Sequence, residues 1–176
     1  MGEAVRPPKA KLVMAVTWGD PAAVARARKK CEKEFGAIDS GIPPFDFHYT
    51  DYYQQEMGNK LQKCFWSFFN LIPADRLPDI KIFTNSIETI YSKKGKRTVN
   101  LDPGYLADAK IVLATTKNYD HRVYLKKGIY GDVHLRYRHG KYEPNFWTYP
   151  DYQEPFVVEY FEKLRHIYFE QLNKRR

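Results

Sequence analysis

Five consecutive apolar residues, Leu12 to Val16, sit between Lys11 and Thr17, the pattern of a strand buried on both faces. Asp20 and Pro21 follow as an N-cap and a first helical residue. Val24, Ala27, Cys31 and Phe35 then recur at helical spacing until Gly36. Residues 38–49 read as extended, interrupted by Gly41 and Pro43-Pro44. Asp51 with Gln54 fits a capping box, and Met57, Leu61, Cys64, Phe65, Phe68, Phe69 and Ile72 share one helical face closed by Pro73. Pro78-Asp79 opens another helix carrying Ile80, Phe83, Ile87 and Ile90, with a strand over 80–83 as the alternative.

From Gly95 the period changes to two. Strands are expected over 97–101, 110–116, 121–125, 129–138 and 141–147. Asp102-Pro103-Gly104-Tyr105 has the form of a type II turn, and Lys126-Lys127-Gly128 and His139-Gly140 read as hairpin connections. Pro155 starts a last helix whose face is Val157, Tyr160, Phe161, Leu164, Ile167, Tyr168 and Leu172. The expected fold is one domain over 1–176, α+β or α/β. Its helices pack on a largely antiparallel mixed sheet, and residues 1–10 form a flexible N-terminus.

The 176 residues are 43% hydrophobic, enough for a core and too many for a disordered chain. No apolar run approaches the ~20 residues of a membrane span, and no signal-peptide h-region is visible, so a cytoplasmic protein without a membrane partner is expected. Cys31 and Cys64, both assigned to helical faces, read as buried, reduced thiols. The net charge of +8 is uneven: residues 91–141 hold 12 basic and 4 acidic side chains, while the flanking segments are nearly neutral. Such a patch faces solvent or a polyanion.

Familiar catalytic loops are missing: there is no Gly-x-x-x-x-Gly-Lys-Ser/Thr, Gly-x-Gly-x-x-Gly, Gly-x-Ser-x-Gly or His-Glu-x-x-His. Four polar constellations remain. Asp51 and Glu56 bracket a helix start and could hold a hard cation such as Mg²⁺, although capping and a Glu56–Lys60 pair explain them as well. Lys81, Asn85 and Glu88 share one helical stripe, by default facing solvent. Asn100 and Asp102 point to one side of a strand end, where Asp102 could hold a metal or open the turn. Thr115-Thr116-Lys117-Asn118-Tyr119-Asp120-His121-Arg122 gathers an ammonium, an imidazole and a guanidinium. Lys117 and Arg122 would bind phosphate, Thr116 would line the site, and His121 would move a proton. An ordinary polar loop is the alternative.

Four ordered motifs also carry a resemblance: Tyr49-Thr50-Asp51-Tyr52-Tyr53 with Glu56-Met57-Gly58, Leu101-Asp102-Pro103-Gly104-Tyr105, Thr116-Lys117 with His121-Arg122, and Trp147-Thr148-Tyr149-Pro150-Asp151-Tyr152. Together they resemble the uncharacterised prokaryotic domain-of-unknown-function 4416 family over nearly the whole chain. The resemblance implies no activity. It singles out the polar residues inside the motifs as those to test.

The leading expectation is an enzyme or sensor for a phosphate-bearing ligand such as a nucleotide, with Mg²⁺ as a candidate cofactor. Its site would comprise Lys81, Asn85, Asn100, Thr116, Lys117 and Arg122 as ligand-binding groups, Asp51, Glu56 and Asp102 as metal ligands, and His121 as the proton-transfer group. Lys117, His121 and Arg122 are expected beside Asp102. An RNA-binding sheet face built on Arg122, Arg136 and Arg138 is one alternative, and a protein-interaction loop at 147–152 is another.

Overall fold

The computed structural model describes residues 2–174. Eight strands form one sheet: β1 (Ala10–Trp18), β2 (Ile38–Phe47), β3 (Leu61–Ile72), β4 (Val99–Ala107), β5 (Lys110–Thr115), β6 (Arg122–Lys126), β7 (Ile129–Arg138) and β8 (Lys141–Pro144). The spatial order is β2-β3-β1-β4-β5-β7-β6, with β8 also on β7. Every pairing is antiparallel, so the fold is α+β. No helix among the described residues is long and apolar enough to cross a membrane.

Helices cover both faces. α1 (Pro21–Phe35) and α3 (Leu77–Ile90) pack on Leu12, Met14, Val16, Trp66, Phe68 and Leu101. α4 (Pro155–Asn173) packs on the opposite face through Val157, Tyr160, Phe161, Leu164 and Tyr168, against Val13, Phe65, Leu106 and Leu135. Asp20 caps α1 as expected, accepting from the Ala22 and Ala23 amides.

Two expectations are corrected. Residues 57–72 do not form a helix: a short α2 (Gln54–Met57) ends at Gly58, and Leu61–Ile72 is a strand between β2 and β1, one in from the edge of the sheet. It lies between two layers of helices. Cys64, Trp66 and Phe68 pack on one side and Phe65 and Leu71 on the other, so the alternation that marks a half-exposed strand is lost. Nor is Asp102-Pro103-Gly104-Tyr105 a turn; it continues β4. Gly104 permits the tight approach of β5, because a Cβ there would lie 2.5 Å from the Val112 carbonyl oxygen.

Cys31 and Cys64 are buried free thiols, Cys64 on a strand rather than a helix. Burial pushes each up to about 12. Both should resist alkylation at neutral pH until denaturant is added, because the thiolate is the reactive form. Fast labelling of the native protein, read by intact mass, would overturn that placement.

Candidate functional site

The site begins where β4 and β5 part. Their pairing runs from Gly104–Leu113 to Ala107–Lys110 and stops at Pro103, which has no N–H to offer. β4 stays paired with β1 beyond that point, leaving the other edge of Asn100, Leu101 and Asp102 without a strand neighbour. α3 supplies the missing partners. Glu88 Oε1 accepts from the Leu101 N–H (2.7 Å), and Lys81 Nζ donates to the Leu101 carbonyl (2.9 Å). Lys81 and Glu88 are therefore buried rather than solvent-facing: a side-chain substitute for a strand edge keeps the backbone satisfied.

The same groups begin a polar network. Lys81 Nζ also donates to Asp102 Oδ1 (3.0 Å), and Asn100 Nδ2 donates to Asp102 Oδ2 (2.7 Å). Arg97 donates to Asn100 Oδ1 (2.8 Å) and grips Glu56 with a two-pronged contact at 2.6 and 3.2 Å. That Arg97 hydrogen bond holds the Glu56 carboxyl below its usual range. Burial pushes Asp102 up, but Lys81, with Lys63 and Asn100, outweighs it and the net shift is downward. Burial lifts Glu88 above the usual range against the attraction of Lys81.

Above this network lies a cleft of two adjoining lobes. The polar lobe, about 240 Å³, is walled by Lys81, Asn85, Glu88, Arg97, Asn100 and Asp102 on one side and by Thr115, Thr116 and Lys117 on the other. The second lobe, about 370 Å³, is aromatic, with Phe47, Tyr49, Tyr119 and Tyr152 around a buried Lys63–Asp151 pair. Tyr52, Tyr53, Asp102, Lys117 and Tyr149 face both lobes. Lys117 Nζ lies 4.1 Å from the centre of the Tyr52 ring, and no ion pair of it with a carboxylate is seen among the described residues.

Thus Lys81, Asn85, Asn100, Asp102, Thr116 and Lys117 converge on one cleft. His121 and Arg122 do not join them; they lie beside Asp132. Arg122 Nε donates to Asp132 Oδ2 (3.0 Å), and its other nitrogens donate to the Lys117 carbonyl (3.1 Å) and the Tyr149 hydroxyl (3.2 Å). Its fork is consumed internally, and as a buried side chain it is not part of an exposed basic sheet face. It acts on the cleft by fixing Tyr149 and the loop that carries Lys117. His121 stacks on Trp147 (4.8 Å between ring centres) and contacts Asp120 (3.0 Å), outside both lobes.

The expected metal ligands Asp51, Glu56 and Asp102 do not gather. Asp51 is exposed and bonds Gln54, Glu56 bonds Arg97, and Asp102 bonds Lys81. Among the described residues, no three His, Cys, Asp or Glu side chains are grouped to hold a metal.

Four participants escaped the sequence reading: Arg97, Lys63, Asp132 and His134. His134 is fully buried; its Nε2 accepts from the Tyr149 N–H (3.0 Å), and its Nδ1 lies 3.4 Å from Asp132 Oδ1. Burial lowers its pKa despite Asp132, and because Nε2 accepts from the Tyr149 N–H, the ring proton lies on Nδ1. Asp132 and His134 alternate with Gly131, Val133 and Leu135 on β7, and Lys63 lies between Gln62 and Cys64 on β3, so only their polarity within those strands marks them.

No curated protein and no solved structure matches the chain. One sequence family does match, over residues 8–168, which include every element of the cleft: the chain belongs to the family described as Domain of unknown function (DUF4416).

Proposed function

We propose that the cleft binds a phosphate-bearing small molecule with a planar ring, a nucleotide in the simplest case. The observation that carries this reading is Lys117. Its ammonium stands in the wall common to both lobes, without, among the described residues, the carboxylate partner that Lys63, Lys81 and Arg97 each have. A phosphate there would gain a point charge and the neighbouring Thr115 and Thr116 hydroxyls. The ring would lie among the tyrosines of the second lobe, where flat aromatic surfaces suit a planar partner. Both lobes together fall in the size range of small-ligand sites.

Titration calorimetry with ATP, GTP, UTP, ribose 5-phosphate and pyrophosphate, each with and without Mg²⁺, tests the reading. At least one nucleotide should bind. Lys117→Ala should weaken it about 10–100-fold, the worth of one charge-assisted hydrogen bond. Failure of every nucleotide to bind, or unchanged affinity in Lys117→Ala, would overturn it.

A further inference from the structure

The two edges of the sheet differ in kind. β2, at one end, carries Pro43 and Pro44 and two register shifts against β3, features that blunt an edge against pairing. β6, at the other end, has no proline and one register shift against β7, between Tyr124 and Lys126, and its three consecutive apolar residues are all exposed: Val123 68%, Tyr124 58% and Leu125 40%. Beside the start of β6 lies a further apolar site. Phe146 is fully exposed, and with Trp147, His121 and Asp120 it lines a hollow of about 560 Å³. An edge strand that exposes three apolar side chains next to an apolar hollow is an association surface.

We propose that β6 pairs antiparallel with β6 of a second copy of this chain, extending the sheet across a twofold axis. Charge and shape select that occupant. The turn just before the strand carries Asp120, whose side chain is 99% exposed, and Lys126 and Lys127 lie at and just past the strand's C-terminal end. Those two lysines share the single carboxylate of Asp79, so that end keeps a positive excess. Antiparallel self-pairing places the acidic end of each copy at the basic end of the other, twice over.

The register follows. Centring the axis on Val123 sets Asp120 against Lys126 and His121 against Leu125. Leu125 of each copy then approaches the hollow formed by His121, Phe146 and Trp147 of the other, an isologous contact that closes as a dimer. Moving the axis by one residue to Tyr124 sets Asp120 against Gly128 and forfeits both charge pairs. Main-chain bonds would supply affinity and the Leu125 contact the register, as in other strand-addition complexes.

Sedimentation analysis over a range of concentrations tests the proposal, with circular dichroism as a check on folding. The parent should reach a dimer. Val123→Lys should raise its dissociation constant about tenfold or more, because two ammonium groups would meet on the axis. Asp120→Lys should also weaken the dimer, and adding Lys126→Asp should restore it. Amide exchange at Val123 to Leu125 should slow as concentration rises. A protein that stays monomeric at every concentration overturns the proposal. So does a dimer insensitive to both Val123→Lys and the charge exchange, which would place the contact elsewhere.

Discussion

Asp132→Ala should lower stability by about 3–5 kcal/mol, the cost of leaving a buried charge without its partner. The Asp132 side chain is 3% exposed and that of Arg122 2%. Without the carboxylate, the guanidinium keeps only neutral acceptors: the Lys117 carbonyl, the Thr115 hydroxyl at 3.5 Å and the Tyr149 hydroxyl. His134 loses the acceptor that orients its Nδ1 proton, and with it the tautomer that receives the Tyr149 N–H. Asp132→Asn, which retains an oxygen acceptor, should lose less, about 1–3 kcal/mol.

The pH dependence identifies the cause. Burial raises the Asp132 carboxyl, but His134 and Arg122 outweigh it and hold it below 3.8. A lowered carboxyl contributes stability that is present above 3.8 and is lost as pH falls through its folded value. The gap between parent and Asp132→Ala should therefore be constant near neutrality and narrow only below about pH 4. Urea denaturation at several pH values measures it. A loss below ~1 kcal/mol at neutral pH would show that Arg122 is adequately solvated without its partner.

The parts of the fold that could be read from sequence are those in which local signals and burial agree. β1 is an apolar run ended by a capped helix, and β5 to β7 alternate or run apolar, with glycine turns at both ends of β7. α4 shows its buried stripe directly. β3 failed because a strand buried on both faces has no period of its own; Leu61, Cys64, Phe65, Phe68 and Ile72 fit a helical wheel by coincidence. Its Phe, Trp and Cys content was the better clue. Pro103-Gly104 failed for a different reason. The pair usually signals a turn, but here Pro103 marks where a strand loses one neighbour and Gly104 where it gains a very close one.

The cleft was legible as a set of residues and illegible as a partition among them. Lys81, Asn100, Asp102 and Lys117 stood out by chemistry, and the fold brings them together. Arg122 and His121 stood out equally, only five and four positions beyond Lys117. Yet β6 pairs Arg122 opposite Asp132, and that cross-strand contact turns the guanidinium inward. A pairing formed ten residues along the chain decides whether a basic residue meets a ligand or the protein's own carboxylate, and spacing within one loop does not carry that information.

Lys81→Met should cost about 3 kcal/mol at neutral pH, and the deficit should shrink in acid. In the parent, the ammonium lies between two carboxylates, bonding Asp102 and attracting Glu88, and it also satisfies the Leu101 carbonyl. Methionine fills much of the same volume without charge, so Glu88 and Asp102 would repel each other beside an unsatisfied carbonyl. Glu88 is already raised above 4.5 by burial, and loss of the cation should raise it further. A carboxyl raised by folding binds its proton more readily in the native state. Its charged form is a penalty that grows as pH rises through the folded value and is relieved as pH falls. The parent-to-variant gap should thus narrow from neutral pH into the carboxylate range, opposite in cause and earlier in pH than the change at Asp132. Glu88→Gln should recover part of the loss in the Lys81→Met background while being unfavourable or neutral alone. That coupling, about 1–3 kcal/mol in a double-mutant cycle, measures the pair directly. A deficit that does not vary with pH, together with strict additivity of the two substitutions, would mean that Lys81 serves β4 by packing alone.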